Sequence, residues 1–220
     1  MDNIISLTIT DDIIIELSKK DDRINKLISL VGCLNIAIRE NRFEALVRSI
    51  IGQQISISSA RTIYSKMQVL CGKIRPESLY IVSSEELRKA GVSKPKISFI
   101  KDLSEKVLSG EMDLNSLDDY SSDEIIIILT KVKGIGVWTA QMFLIFSLGR
   151  LDIVALGDSG LQRACKWLYY DEGNKDGINI LADKAKHWHP YGTVASLYLW
   201  EAINKGYVDK FNSINECIRT

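Results

Sequence analysis

Cysteine is scarce in this chain, and its spacing excludes two common kinds of site. The four cysteines lie far apart and include no Cys-x-x-Cys pair: Cys33, Cys71, Cys165 and Cys217. Structural zinc sites and disulfide frameworks need closer or paired cysteines. An iron–sulfur cluster is held by four cysteine ligands, and these four are not grouped in the sequence. The sequence therefore predicts no metal–sulfur site and a reduced, cytoplasmic setting.

Net charge and long apolar runs are also missing. The 28 basic and 28 acidic residues cancel, so any affinity for nucleic acid has to come from a local patch. No apolar run reaches membrane-spanning length, and the N-terminus carries no basic-then-apolar signal. We therefore expect no membrane partner. With 220 residues, 46% of them hydrophobic, the chain is long enough for one globular domain or two small lobes.

Strand signals and repeats are sparse, whereas apolar residues recur at helical spacing along most of the chain. Residues three or four apart share one face of a helix, as Ile24, Leu27, Ile28 and Val31 do. Residues 1–10 fit either a short strand or an extended lead-in, and residues after about 205 are predicted to be a tail. The chain is therefore predicted to be all-α. Helices are expected over 11–19, 21–31, 43–51, 58–70, 76–79, 84–90, 94–108, 122–131, 159–169, 178–188 and 194–204.

The most specific stretch runs from Lys131 to Gly160. Within it, Gly134 and Gly136 enclose Ile135, between a predicted helix and a long apolar segment with helical spacing. Glycine takes backbone angles closed to other residues and places no side chain in the way of a neighbour. The amides of the turn and of the following helix start can therefore point outward together, which suits a phosphate oxygen. Ile135 is expected to anchor the turn inward.

A family resemblance lies in two motifs of this stretch. They are Gly134–Ala140, which reads GIGVWTA, and Gly157–Gly160, which reads GDSG and follows about twenty residues later. Together they resemble the helix-hairpin-helix (HhH-GPD) DNA glycosylase superfamily, and within it the 3-methyladenine DNA glycosylase II branch. The segments Ile51–Ser56 and Tyr198–Trp200 add to the likeness, which covers about residues 20–205.

The resemblance implies an architecture as well. The expected fold is a two-lobed helical bundle with a helix-hairpin-helix motif and an active-site cleft between the lobes. One lobe is expected to contain about residues 1–40 and 150–220. The other, helical lobe is expected to contain about residues 41–149, with the hairpin at 123–148. Residues 1–220 would then form a single glycosylase unit.

Asp158 is the predicted catalytic residue. Taken alone, an aspartate directly before Ser159 is the N-cap of a helix. Its distance from the GIG turn favours a catalytic role, and the two roles are compatible because a helix N-terminus keeps a carboxylate ionised and oriented. Cutting an N-glycosidic bond leaves positive charge on the sugar, which a fixed anion stabilises. Asp152 is the rival carboxylate, and a surface ion pair with Arg150 is its ordinary explanation.

Position 138 favours hydrolysis over a covalent mechanism. In the bifunctional relatives, a lysine nucleophile that forms a Schiff base stands here, whereas this chain has Trp138. Taken alone, Trp138 and Trp200 are typical core residues. The resemblance instead places both in the base pocket, where a cationic alkylated purine stacks on indole. Tyr198 and Met142 are the further pocket residues that it implies.

The resemblance assigns the DNA contacts to two turns. Gln53 and Gln54, taken alone, indicate a solvated helix end, but the corresponding loop of the family enters the duplex beside the extruded base. Gln54 is therefore the candidate wedge, and one DNA or structural contact is expected to be missing because relatives carry arginine where Gly192 stands. The hairpin supplies the other DNA-binding candidates: Lys133, Gly134, Ile135, Gly136 and Thr139. A structural Na⁺ or K⁺ is implied on the backbone carbonyls of Thr130, Val132 and Ile135, and no other cofactor is expected.

The function implied is that of a monofunctional DNA-3-methyladenine glycosylase. It would flip out and hydrolytically excise alkylated purines, leaving an abasic site for base-excision repair. Double-stranded DNA with damaged bases is the expected partner, and the protein is expected to be a monomer, associated with the nucleoid if the organism is a bacterium. Two alternatives stay open: a glycosylase of the same fold for oxidised or mismatched bases, and a non-catalytic helix-hairpin-helix DNA-binding module.

Overall fold

The computed structural model describes residues 3–171 and 176–218, and the prediction of an all-α fold is confirmed. Most of the predicted polar loop at 171–177 lies outside these residues. Two strands, β1 (Asn3–Leu7) and β2 (Leu34–Ile38), form a small antiparallel sheet. Within the described residues, no helix is both long enough and apolar enough to cross a bilayer. The helices are α1 (Asp12–Lys20), α2 (Asp22–Val31), α3 (Arg42–Gly52), α4 (Ile57–Cys71), α5 (Pro76–Ile81), α6 (Ser84–Lys89), α7 (Lys94–Leu108), a 3-10 helix (Ser116–Asp119), α8 (Ser122–Thr130), α9 (Val137–Phe146), α10 (Ser159–Leu168), α11 (Gly177–Trp188), α12 (Gly192–Asn204), α13 (Tyr207–Lys210) and α14 (Ile214–Ile218).

The chain forms two compact units. The split unit contains Met1–Ile38 and Gly149–Thr220, and the central unit contains Arg39–Leu148. The sheet, α1, α2 and α10–α14 therefore belong to the split unit, whereas α3–α9 belong to the central unit. The active-site cleft between lobes stays a prediction.

Helix α12 is the core helix of the split unit. It packs against α2, α10 and α11, and nearly every residue in its first two turns is buried. Helix α10 is one-sided by comparison: Leu161, Ala164 and Leu168 are buried at helical spacing, whereas Arg163 and Lys166 are exposed. This one-sided packing fixes the start of α10, the position directly after Asp158.

Helix α7 organises the central unit. It contacts α3, α5 and α6, and it buries Ile97, Ile100 and Leu103 at a spacing of three residues. Helices α8 and α9 pack against each other as the two arms of the hairpin. The hairpin begins at a capping box, in which Ser121 accepts from the amide of Glu124 and the Glu124 carboxylate accepts from the amide of Ser121. Local sequence therefore fixes where the first arm begins.

Two regions differ from the sequence-based expectations. Residues 1–10 contain a strand, one of the two structures expected there, but its partner β2 was not predicted. Its five residues alternate between buried Leu34 and Ile36 and exposed Asn35 and Ala37, a pattern too short to stand out among helical segments. The prediction of a C-terminal tail is wrong, because α13 and α14 follow α12 and Ile214 is fully buried.

Candidate active site and DNA-binding hairpin

Gly134 lies in the turn between α8 and α9, and the fold requires a glycine there. Its φ is 78°, in the left-handed region that L side chains rarely adopt. A Cβ built on Gly134 would lie 2.1 Å from Cδ2 of Phe99, so the ring of Phe99, on α7, packs directly against the backbone of the turn. Ile135 is 4% exposed, which confirms that it anchors the turn inward.

Gly136 differs from Gly134, because its backbone and its surroundings both accept a side chain. Its φ of −92° is open to any residue, and no atom of the described residues lies within 4 Å of an added Cβ. Gly136 is the N-cap of α9 and makes no side-chain cap to the first turn. A bare helix start suits an outside group that must approach the backbone amides closely, such as a phosphate.

Lys133 and Thr139 are the remaining predicted DNA contacts of the hairpin, and one side chain is exposed whereas the other is buried. The amide of Lys133 donates to Oδ2 of Asp102 at 2.9 Å, and its ammonium lies 3.5 Å from Oδ1. The Lys133 side chain is nevertheless 67% exposed, so it can still reach a phosphate. Thr139 is buried, and a DNA contact of this residue is therefore limited to its backbone amide. These DNA contacts stay predictions.

We call Gln53 and Gln54 the wedge turn. Gln53 is the C-cap of α3, and its Nε2 donates to the carbonyl of Gly134 at 2.8 Å. Gln54 is exposed and has a φ of 56°, which is uncommon for a residue with a side chain. The ammonium of Lys96 donates to the carbonyls of Ile51 and Gln53, each at 2.7 Å. The wedge turn is thus fixed at its base, whereas the role of Gln54 as wedge stays a prediction.

Asp158 is the N-cap of α10, and its side chain is half-buried. Its Oδ1 accepts from the amide of Leu161 at 2.8 Å and from Nε1 of Trp200 at 3.4 Å. A Cβ built on Gly160 would lie 3.0 Å from the same oxygen, so the residue two positions later leaves room for the carboxylate. The backbone amide and the indole N–H fix the orientation of the carboxylate, and the positive end of the helix dipole suits a negative charge at this position. The arrangement therefore presents an oriented anion.

A second aspartate has almost the same local geometry. Asp21 is the N-cap of α2, accepts from the amides of Arg23 and Ile24, and accepts from Nε1 of Trp188 at 3.1 Å. Helix capping and an indole donor therefore do not by themselves mark a catalytic carboxylate. Asp21 differs in that its Oδ2 also accepts from the hydroxyl of Tyr169, and only Asp158 lies in the GDSG motif after the GIG turn.

The candidate pocket residues lie in different surroundings. Trp200 is half-buried beside Asp158, so one predicted base-stacking ring touches the predicted catalytic group although they are far apart in sequence. Trp138, in the first turn of α9, is 49% exposed, which is unusual for an indole that serves only as core. Met142 lies one turn further along α9 and is half-buried. Their contact with a base stays a prediction.

The comparison with known proteins identifies the family. A family model described as the HhH-GPD superfamily base excision DNA repair protein matches residues 47–190. The chain belongs to the HhH-GPD superfamily. The matched range includes the wedge turn, the hairpin and Asp158, whereas Tyr198–Trp200 lie beyond it.

Three similar proteins illustrate the likeness. A DNA-3-methyladenine glycosidase from Bacillus halodurans, known from its crystal structure, is 41% identical with a TM-score of 0.91, covering 98% of this chain and 100% of that one. The Schizosaccharomyces pombe 3-methyladenine DNA glycosylase, solved in complex with abasic DNA, is 28% identical with a TM-score of 0.75, covering 88% and 97%. YfjP of Bacillus subtilis, whose name also describes a DNA-3-methyladenine glycosylase, is 31% identical over 169 residues, or 73% of this chain. The present chain spans 58% of the length of YfjP.

One pocket residue implied by the HhH-GPD resemblance has to be withdrawn. Tyr198 is fully buried in α12, and its hydroxyl donates to the carbonyl of Gly32 at 3.1 Å. Burial raises the pKa of Tyr198 to about 12. A ring without exposed surface cannot stack on a base, so the prediction for Tyr198 is wrong and the residue belongs to the core of the split unit.

Replacing the tyrosine tests this correction. We expect Tyr198→Phe to lower the free energy of unfolding by about 1 kcal/mol, because one buried hydrogen bond is lost and the Gly32 carbonyl loses a donor. Base excision at saturating enzyme should be unchanged. Urea unfolding and single-turnover excision assays measure the two effects. A large loss of excision without loss of stability would indicate that Tyr198 does line the base pocket.

The rival carboxylate, Asp152, has a structural explanation. Its Oδ1 accepts from the amide of Gly192 at 3.1 Å, and its Oδ2 lies 2.5 Å from Nδ1 of His189. A Cβ built on Gly192 would lie 2.6 Å from Cγ2 of Val154. Asp152 therefore supports the start of α12, and the close approach of Val154 leaves no room for a side chain at position 192.

The family also implies a monovalent cation at the hairpin, and the donors present fit one. Thr130 ends α8, and the Val132 carbonyl accepts from the amide of Ile135 at 3.1 Å, which uses one of its two lone pairs. Uncharged carbonyl oxygens are donors that Na⁺ and K⁺ accept, so the site at Thr130, Val132 and Ile135 stays a prediction. Among residues 3–171 and 176–218, no group of three or more His, Cys, Asp or Glu side chains could hold a metal ion.

Proposed function

We propose that this HhH-GPD protein is a monofunctional DNA glycosylase that excises alkylated purines, 3-methyladenine foremost, from double-stranded DNA. The reaction is hydrolysis of the N-glycosidic bond, and the product is an abasic site for base-excision repair. We further propose that the protein is a monomer. Its location would be the cytoplasm, where it would be associated with the nucleoid if the organism is a bacterium. The similar proteins that are named DNA-3-methyladenine glycosylases support the substrate class.

The contact between Asp158 and Trp200 is the observation that supports this function most directly. The indole N–H lies 3.4 Å from Oδ1, which brings an aromatic surface and an oriented anion together. A cationic purine stacks favourably on the indole face. The sugar that carries this purine would then come close to the carboxylate.

In the proposed mechanism, Asp158 acts through charge. As the bond between base and C1′ breaks, positive charge develops on the deoxyribose, and the Asp158 carboxylate stabilises it or directs a water molecule to C1′. The bonding electrons leave with the purine, which loses its positive charge. An alkylated purine is already cationic and leaves readily, so no strong general acid is needed. The absence of a lysine at position 138 makes a Schiff base at that position impossible.

The hairpin and the wedge turn handle the DNA. The amides near Gly136 bind a backbone phosphate, and Gln54 fills the space that the flipped nucleotide vacates. Extruding a nucleotide from the duplex costs a few kcal/mol, and the cost is smallest for a poorly paired base. Weak pairing of the damaged base therefore adds to the selectivity of the pocket.

Product analysis on a panel of lesion duplexes tests this function. With methylated DNA, we expect free 3-methyladenine, an intact strand with an abasic site, and no covalent enzyme–DNA adduct after borohydride treatment. Duplexes with 8-oxoguanine or a mismatch should release much less base. Release of only oxidised or mismatched bases would favour the other glycosylase, and binding without release of any base would favour a non-catalytic module.

A further inference from the structure

Three residues of α7 lie on one face and contact both DNA-handling turns of the central unit. Lys96, Phe99 and Asp102 are spaced three apart, so they follow one another along a single stripe of the helix. Lys96 contacts the wedge turn, Phe99 packs on Gly134, and Asp102 accepts from the amide of Lys133. We call these three residues the α7 bracket.

Lys96 holds the end of α3 from which the wedge turn departs. Its ammonium donates to the carbonyls of Ile51 and Gln53, each at 2.7 Å. The carbonyls at a helix C-terminus lack partners within the helix and carry partial negative charge, so a cation there stabilises them. Burial lowers the pKa of Lys96, which means that the ammonium gives up some hydration to make these contacts.

The residue that these contacts support has a strained backbone. Gln54 has a φ of 56°, which costs a residue with a Cβ about 1–2 kcal/mol. Such a conformation persists only where its surroundings hold it in place. Directly before it, the carbonyl of Gln53 is held by Lys96 and the amide group of its side chain donates to Gly134.

We propose that the α7 bracket keeps the wedge turn and the hairpin in one fixed arrangement, with Lys96 as a positioning residue for insertion of Gln54 during nucleotide flipping. The inference rests on the proposed function, because it assigns Lys96 to the flipping step of base excision. The hairpin grips the backbone while the wedge enters the stack, so an error in their spacing directly weakens flipping. Neither Lys96 nor Asp102 is proposed to contact the base or the sugar.

A second lysine on α7 provides a matched comparison. The ammonium of Lys101 donates to the carbonyls of Tyr80 and Val82, at the end of α5. Burial also lowers the pKa of Lys101. Lys101 therefore makes the same kind of contact as Lys96, on the same helix, but its carbonyls belong to neither the wedge turn nor the hairpin.

Two substrates separate positioning from general damage to the fold. For Lys96→Met we expect the single-turnover excision of 7-methylguanine paired with cytosine to fall about a hundredfold, as misplaced groups cost rates of this order. The same lesion in a one-nucleotide bulge needs no wedge, and we expect its rate to fall by at most about threefold, since most of the extrusion cost is gone. Lys101→Met should leave both rates near wild type, and Lys96→Arg should restore much of the paired-lesion rate.

A second readout does not depend on catalysis. A 2-aminopurine placed beside a tetrahydrofuran abasic site brightens when a side chain inserts and disturbs stacking. We expect this signal on binding of wild type and Lys101→Met, and its loss in Lys96→Met at saturating protein. Equal losses of rate on paired and bulged lesions, or an unchanged fluorescence signal in Lys96→Met, would overturn the proposal. If wild-type protein released no base from either 7-methylguanine substrate or from methylated duplex DNA, the proposed function would fail, while the fluorescence result would still decide the role of Lys96.

Discussion

Asp158→Asn is expected to lower the single-turnover rate of base release from methylated duplex DNA about a thousandfold, because the fixed charge that stabilises the sugar cation is removed. Asparagine is as good an N-cap as aspartate, so α10 should still begin at Ser159 and the protein should stay folded. Binding to a duplex with a tetrahydrofuran abasic site, which carries no charge at the sugar, should change little. Chromatography of the released base and a binding titration measure the two effects.

Asp21 supplies the matched control for this prediction. Asp21→Asn changes an aspartate with the same capping role and the same kind of indole partner, yet outside the GDSG motif. We expect it to lower the melting temperature and to leave excision by the folded protein near wild type. If Asp158→Asn kept full activity, or if both variants lost activity equally, the carboxylate of Asp158 would not be the catalytic group.

The two hairpin glycines are expected to respond differently to alanine. Gly134→Ala should destabilise the protein by about 2–5 kcal/mol, because the added Cβ meets the Phe99 ring and the backbone is left-handed. Gly136→Ala should leave the melting temperature within about 2 °C, since the fold accepts a side chain there. It should nevertheless weaken binding to duplex DNA about tenfold, because the methyl group stands between the phosphate and the first amides of α9.

Thermal melting and a DNA-binding titration at fixed salt distinguish these outcomes. The Gly136→Ala variant is the more informative of the two, because its melting temperature should stay the same while its affinity for DNA falls. If the Gly136→Ala variant bound DNA as tightly as wild type, the amides at the start of α9 would not be the phosphate-binding group.

Sequence was sufficient for features that depend on neighbouring residues. The helices follow from local apolar spacing, the cap at Asp158 from an aspartate before Ser159, and the inward position of Ile135 from its place between two glycines. In each case the determining partners lie within a few positions in the chain. Local physical chemistry was therefore enough to predict them.

Features that depend on distant residues could not be predicted in this way. Lys96 donates to carbonyls 45 and 43 residues earlier in the chain, and lysine is commonly a solvated residue. The family resemblance implies Tyr198 as a pocket residue, yet its separation of two positions from Trp200 turns the two side chains to different sides of α12. Helical geometry explains why one of the pair is core while the other reaches Asp158.

In the proposed mechanism, the Asp158 carboxylate faces a developing positive charge on the sugar. Binding of two abasic analogues tests it most directly: a pyrrolidine, which is protonated and mimics the sugar cation, and the uncharged tetrahydrofuran. Transition-state mimics gain affinity from the groups that act in the transition state. We predict that wild type binds the pyrrolidine duplex at least about tenfold more tightly than the tetrahydrofuran duplex and that Asp158→Asn loses this preference. An equal preference in wild type and Asp158→Asn would show that the Asp158 carboxylate does not stabilise the sugar cation.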